Sequence, residues 1–142
     1  MNDTHSNPLK PVPHESDYEK GLRTRREVLG DEWVDRSLAR RSEFNAEFQE
    51  LITRYAWNEI WNRPGLSRQM RRVMVLSVTM SLGRWEEFEL HVRAALHADD
   101  GSGLTVEALK EVLLQNAIYA GVPAANTAFS LAQRIVNSMN DE

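Results

Sequence analysis

Proline placement and the spacing of apolar side chains restrict this chain to helices. Three of its five prolines (Pro8, Pro11 and Pro13) fall in the first 13 residues, and only Pro64 and Pro123 follow. Proline removes a backbone donor and breaks helix interiors, so the remaining windows are free to run as helix. Within them apolar residues recur every three or four positions, as in Phe44, Phe48, Leu51, Ile52 and Tyr55. Strand-like alternation and internal repeats are absent from the sequence. Gly30, Gly65, Gly83 and Gly121 each close an amphipathic run.

Local signals place the elements. Ser16 and Glu19 have capping-box spacing and open a helix that ends near Leu29. Asp31 is placed to cap a short second helix through Trp33, Val34 and Leu38. Ser42 opens a third that runs to Trp61 and is stopped by Asn62-Arg63-Pro64-Gly65. Ser67 caps a fourth with Met70, Val73, Met74 and Ser77 on one side. Arg84 to Ala98 forms a fifth with Trp85, Phe88, Val92 and Ala95 as its apolar stripe. After the polar link Asp99–Gly103, Thr105 opens a sixth helix, and Pro123 stands as first residue of a last one to about Asn137. The expectation is an all-α fold of six or seven helices in a single domain, residues 15–142. Residues 1–14 read as a tail too poor in apolar side chains to order itself.

Composition narrows the chemistry. The 142 residues carry no cysteine, which excludes disulfides, thiolate metal sites and thiol nucleophiles. A net charge of −4 argues against a nucleic-acid binder with a broad basic surface. No run approaches the roughly 20 apolar residues of a membrane span, and the polar N-terminus has no signal-like region, so the expected location is cytoplasmic. Of the 17 basic residues 14 are arginine, which fits bidentate recognition of carboxylates and equally fits genomic base composition.

Three constellations stand out. Arg84, Glu87 and His91 fall at offsets of three and seven, on one face of the fifth helix. A carboxylate four residues before an imidazole can orient it and raise its pKa, as a proton carrier near neutral pH requires; the plain alternative is a solvated surface pair. Arg63, Arg68, Arg71 and Arg72 cluster around a turn and helix start, either as an anion site or as surface charges balancing Glu86, Glu87 and Glu89. Trp57 and Trp61 lie one turn apart, as core packing, a subunit contact or a pocket wall. Metal binding looks poor: His5 and His14 lie in the tail, and His97 follows His91 by six residues, which is not a same-face ligand spacing.

Longer blocks resemble the 4-carboxymuconolactone decarboxylase family, within the alkylhydroperoxidase D-like superfamily. They comprise Tyr18-Glu19-Lys20-Gly21 with Arg25-Arg26-Glu27-Val28-Leu29-Gly30-Asp31, Val34-Asp35-Arg36, and Phe48 through Trp57. Ile60-Trp61, Arg63-Pro64-Gly65-Leu66, His91-Val92-Arg93-Ala94-Ala95 and Glu111 through Asn126 complete the set, in order over most of residues 18–136. Three positions depart from the family pattern: Asn58 where glycine is expected, Arg72 where a small serine is usual, and a 97–103 link several residues longer than usual. In the thiol-dependent relatives a Cys-x-x-Cys precedes the helical histidine. Here those positions are Arg84 and Glu87, so a peroxidase cycle is chemically impossible.

The resemblance implies an all-helical carboxy-lyase that assembles as a homo-oligomer, usually a hexamer. It implies cofactor-independent decarboxylation of a dicarboxylate lactone, 4-carboxymuconolactone, to 3-oxoadipate enol-lactone in the protocatechuate branch of the β-ketoadipate pathway. On that basis His91 is expected as proton donor with Glu87 orienting it. Arg71, with Arg68 or Arg84 as alternatives, is expected to bind a carboxylate or oxyanion, and Trp57 and Tyr119 to line the pocket. The competing readings are a related decarboxylase or isomerase acting on another acidic lactone, and a non-catalytic helical binding oligomer.

Overall fold

A computed structural model describes residues 14–142; the expected tail, residues 1–14, lies almost wholly outside them. Among the described residues the chain is all-α: α1 (Asp17–Leu29), α2 (Asp31–Ala39), α3 (Ala46–Ile52, continued by a π-helical segment Thr53–Ile60), α4 (Arg68–Leu82), α5 (Trp85–His97), α6 (Val106–Ala120) and α7 (Val122–Asn140).

The caps follow the sequence. Ser16 accepts from the Glu19 N–H while the Glu19 carboxylate accepts from the Ser16 N–H, the reciprocal box that opens α1. Ser67 and Thr105 accept from the amides of Met70 and Ala108 and open α4 and α6. Differences are local. Asp31 is the first residue of α2, with Gly30 in the cap position and no side-chain cap. Ser42 and Asn45 bond reciprocally in a turn, delaying α3 to Ala46. Pro123 is the second residue of α7, which runs on to Asn140.

Two apolar clusters organise the helices, and α5 belongs to both. Phe88, Val92 and Ala95 face a core built with Leu76 and Met80 of α4, Leu109 and Leu113 of α6, and Ala128 and Ile135 of α7. Ala94, on the opposite flank, packs with Val28 and Leu29 of α1, Val34 of α2 and Trp57 of the π-helical segment. The buried face of α4 is Arg72, Leu76, Thr79 and Met80. Met70 and Met74, which the sequence places on one side of this helix with Val73 and Ser77, are each about half exposed, as is Val78. The apolar period on α4 therefore serves two faces, only one of which is covered by the described residues.

Helix α1 approaches the π-helical segment closely at Gly21. A Cβ on Gly21 would stand 2.0 Å from the Thr53 carbonyl oxygen, so only glycine permits this approach. Thr53 bends its own backbone further by donating its hydroxyl to the Gln49 carbonyl at 2.7 Å. The wider winding is visible in the Trp61 N–H bond to the Ala56 carbonyl, an i→i−5 bond of 3.0 Å.

Gly21→Ala separates propensity from packing. Helix propensity alone favours alanine by about 1 kcal/mol. The clash with backbone instead predicts a loss of roughly 3 kcal/mol, measured by urea denaturation.

Candidate active site

His91 is the buried titratable group at the junction of the two clusters, 8% exposed on the α1-facing flank of α5. Three rings lie nearly parallel around it. Trp57 and Trp61 stack with centroids 5.3 Å apart, and the imidazole lies 6.5 Å from Trp57 and 6.3 Å from Trp61, with interplanar angles of 13° and 6°. The π-helical segment carries Trp57, and Trp61 follows directly at its end.

The imidazole Nδ1 is buried with no hydrogen-bond partner among the described residues. Burial among indoles, with the Arg72 guanidinium nearby, pushes its pKa down to about 4. The free site therefore holds a neutral imidazole at pH 7. This corrects the expectation that Glu87 raises it. Glu87 stands exposed in the first turn of α5 and makes no hydrogen bond to His91. With Glu86 it forms the acidic first turn that the helix dipole favours. Four-residue spacing is satisfied, yet one residue lies beyond the cover of the indoles and the other beneath it.

The arginines separate similarly. Arg68 pairs with Glu27 of α1 and reaches the Asn62 side chain at 3.4 Å, a bridge from α4 to α1. Arg71 is partly buried; it donates to the Arg63 carbonyl at 3.0 Å and its Nε is buried without a partner. Arg84 is exposed at the α5 cap position. Tyr119 is 83% exposed on α6, which packs chiefly on α4 and α7, so within one chain it does not line this site. The structure brings together His91, Trp57 and Trp61, and separates Glu87, Arg84 and Tyr119 from them.

Two features escape a reading of the sequence. Arg72, visible there as one of a basic cluster and as a departure from a family pattern, is completely buried, donating to the Val28 carbonyl at 2.8 Å. Thr24, itself 1% exposed, donates to the Asn62 carboxamide at 2.9 Å, and Asn62 in turn donates to Asn58 at 3.2 Å, tying α1 to the tryptophan ladder. One turn beyond His91, a cleft of about 680 Å³ opens between α1 and the end of α5, lined by Val28, Leu29, Ala94, Ala98 and Asp100 among others. Among the described residues no group of three or more His, Asp or Glu side chains converges as a metal-ligand set.

This arrangement can bind an anion and carry a proton without a thiol. Residues 46–134 match the carboxymuconolactone decarboxylase family model. The 4-carboxymuconolactone decarboxylase of Acinetobacter baylyi is 41% identical over 125 residues, covering 88% of this chain and 90% of that protein. The nitrosuccinic acid decarboxylase of Metarhizium robertsii is 34% identical over 129 residues, covering 91% of this chain and 87% of the relative. A 4-carboxymuconolactone decarboxylase of Pseudomonas putida is 56% identical over 39 residues, 28% of this chain and 81% of that sequence. The chain belongs to the carboxymuconolactone decarboxylase family.

Proposed function

We propose that this protein is a carboxy-lyase that decarboxylates 4-carboxymuconolactone to 3-oxoadipate enol-lactone, in the cytoplasm, as part of protocatechuate breakdown. The supporting observation is a buried imidazole stacked beside two indoles, with the Arg72 guanidinium acting on it and paired with no carboxylate among the described residues.

The substrate carries its own electron sink. Its departing carboxylate sits on a ring carbon next to a double bond conjugated to the lactone carbonyl. Breaking the C–CO2 bond moves the electron pair through that double bond onto the carbonyl oxygen, giving a dienolate. The protein must hold a dianion, stabilise the developing oxyanion and protonate the ring carbon beside the carbonyl. No external sink such as pyridoxal phosphate or thiamine is required.

His91 is the proton carrier in this scheme. Neutral in the free protein, it takes up one proton when a dianion enters, because nearby negative charge raises an imidazole pKa. It then delivers that proton to the dienolate carbon and returns to neutrality. Substrate dianion plus one proton thus becomes product monoanion plus CO2. Arg71, its Nε free of partners, binds a carboxylate or the oxyanion. A strong cation on the departing carboxylate would stabilise the ground state and oppose CO2 loss, so the firm arginine contact belongs on the acetate arm.

The longer 97–103 link favours a second reading within the same chemistry. Nitrosuccinic acid and 4-carboxymuconolactone share a succinate skeleton, with two carboxylates on adjacent carbons and an electron sink beside the carboxylate that leaves. Assays with both acids, following CO2 release, decide between them. Release from neither would overturn both readings and leave a binding protein.

The apolar side chains left in solvent support a homo-oligomer, in keeping with the hexamer the family resemblance implies. They include Phe44 at 99%, Tyr119 at 83% and Ile118 at 80% exposure. Light scattering should return six chain masses, and a monomer would remove this part of the reading. Kinetically, His91→Ala is expected to lose at least about 100-fold in kcat. Glu87→Gln, exposed and unpaired with the imidazole, should stay within about threefold of wild type. An active His91→Ala enzyme rules out the proton-carrier role.

The depressed pKa also gives a signed prediction for stability. Between about 4 and the ordinary histidine value of 6.5 the unfolded chain binds the proton and the folded chain does not. Stability therefore rises with pH across this window. Lowering the pH through it should cost about 3 kcal/mol beyond what a His91→Gln protein loses, read from urea midpoints at each pH.

A further inference from the structure

Arg72 is a buried cation with too few partners. It is 0% exposed, yet of its three nitrogens only one is well bonded, Nη1 to the Val28 carbonyl at 2.8 Å. Nη2 reaches the Ser102 hydroxyl at a long 3.4 Å, and Nε is buried with no partner. Charge-assisted bonds to carboxylate normally close to 2.7–2.9 Å, and a buried guanidinium without an anion is costly to maintain. No carboxylate pairs with it among the described residues. Asp100 acts on it only at longer range, its carboxylate being engaged by the Ser102 N–H at 2.9 Å and the Ser102 hydroxyl at 2.6 Å.

The segment over this cation has a fixed root and a loosely held tip. At the root the Leu104 N–H bonds the Ala95 carbonyl at 2.9 Å and Gln69 donates to the Gly103 carbonyl at 2.9 Å. A Cβ on Gly103 would lie 2.6 Å from the Ala95 carbonyl oxygen, so the backbone is pressed onto α5 there. Among the described residues the tip, Asp99 to Ser102, is hydrogen-bonded to the body only through the long Arg72–Ser102 contact. Asp100 and Val28, which flank the guanidinium, also line the cleft that ends one turn from His91. Two departures from the family pattern, Arg72 and the longer link, are therefore in contact with each other.

We propose that Arg72 is the cation of a carboxylate subsite for succinate-type dianions, covered in the free protein by the Asp100–Ser102 tip, and that substrate displaces the Ser102 hydroxyl. The subsite deepens the decarboxylase reading and rests on it for the class of ligand. It receives the acetate arm, which stays on the product, because a buried charge on the departing carboxylate would oppose the reaction. Ser102 and Asp100 act as placeholders that partly compensate the guanidinium until the ligand arrives.

Succinate tests this without turnover, since it has both carboxylates and no electron sink. Binding is measured by calorimetry on wild type, Ser102→Ala, Arg72→Lys, Arg72→Ser and the Arg72→Ser/Ser102→Ala double variant. Removing a competing hydroxyl should tighten succinate about threefold, and removing the guanidinium should weaken it at least about tenfold. In the Arg72→Ser background the Ser102 change should have no effect. A contact that merely tethers the loop predicts the opposite sign for Ser102→Ala, weaker binding or none gained. That result, or no succinate binding by wild type, overturns the subsite. Should Arg72→Ser fail to fold by circular dichroism, the sign of the Ser102→Ala change and a weakening in Arg72→Lys still decide. Turnover separates this inference from its premise: succinate binding through Arg72 with no decarboxylation of 4-carboxymuconolactone discards the proposed reaction and keeps the subsite.

Discussion

The approach of α1 to the π-helical segment sets the geometry on which the rest of the site depends. Gly21 omits the one carbon that would collide with the Thr53 carbonyl oxygen, and the segment beyond Thr53 winds wide, with i→i−5 bonding at Trp61. From that seat Trp57 and Trp61 reach the flank of α5 and roof His91. Burial by those indoles then moves the imidazole to its neutral form. One backbone contact thus propagates into a protonation state.

The electrostatics of the free site are deliberately incomplete in the physical sense that charges are buried without partners. Arg72 is fully enclosed with one good hydrogen bond, and Arg71 keeps a buried, unpartnered Nε. Each carries a desolvation cost, and the proposed dianion would relieve that of Arg72. In the proposed mechanism the same negative charge restores a proton to His91, so ligand binding and arming of the proton carrier become one event. A site of this kind suits a substrate that supplies its own electron sink, because the protein contributes charge placement and a proton.

Helix α5 explains why the site lies where it does. Phe88, Val92 and Ala95 commit one flank to the α4–α6–α7 core, while His91 and Ala94 face α1 and the tryptophans. A side chain on the boundary between two packed clusters is held rigidly from both sides and remains close to a cleft. The root of the α5–α6 link is bonded to that same helix through Ala95, which leaves its tip as the part able to yield.

Much of the fold was legible locally. Helix number and limits follow from caps, glycines and a 3.6-residue apolar period, each a property of neighbours within a turn or two. The absence of cysteine likewise settles the exclusion of thiol chemistry from the sequence alone. His91 and Trp57 stand out in the sequence by their spacing and by the family resemblance, whereas their burial depends on residues of other helices. Glu87 shares a helical face with His91 yet lies exposed, because spacing reports a shared face, while cover by another element depends on residues distant in sequence. Arg72 shows the limit most clearly. Its burial is decided by Val28, 44 positions before it, and Ser102, 30 positions after it. The sequence by itself determined an all-α, thiol-free chain with a histidine-bearing helix. Only the tertiary structure decided which charges stand uncompensated inside it, because compensation is a property of contacts between helices and not of any helix alone.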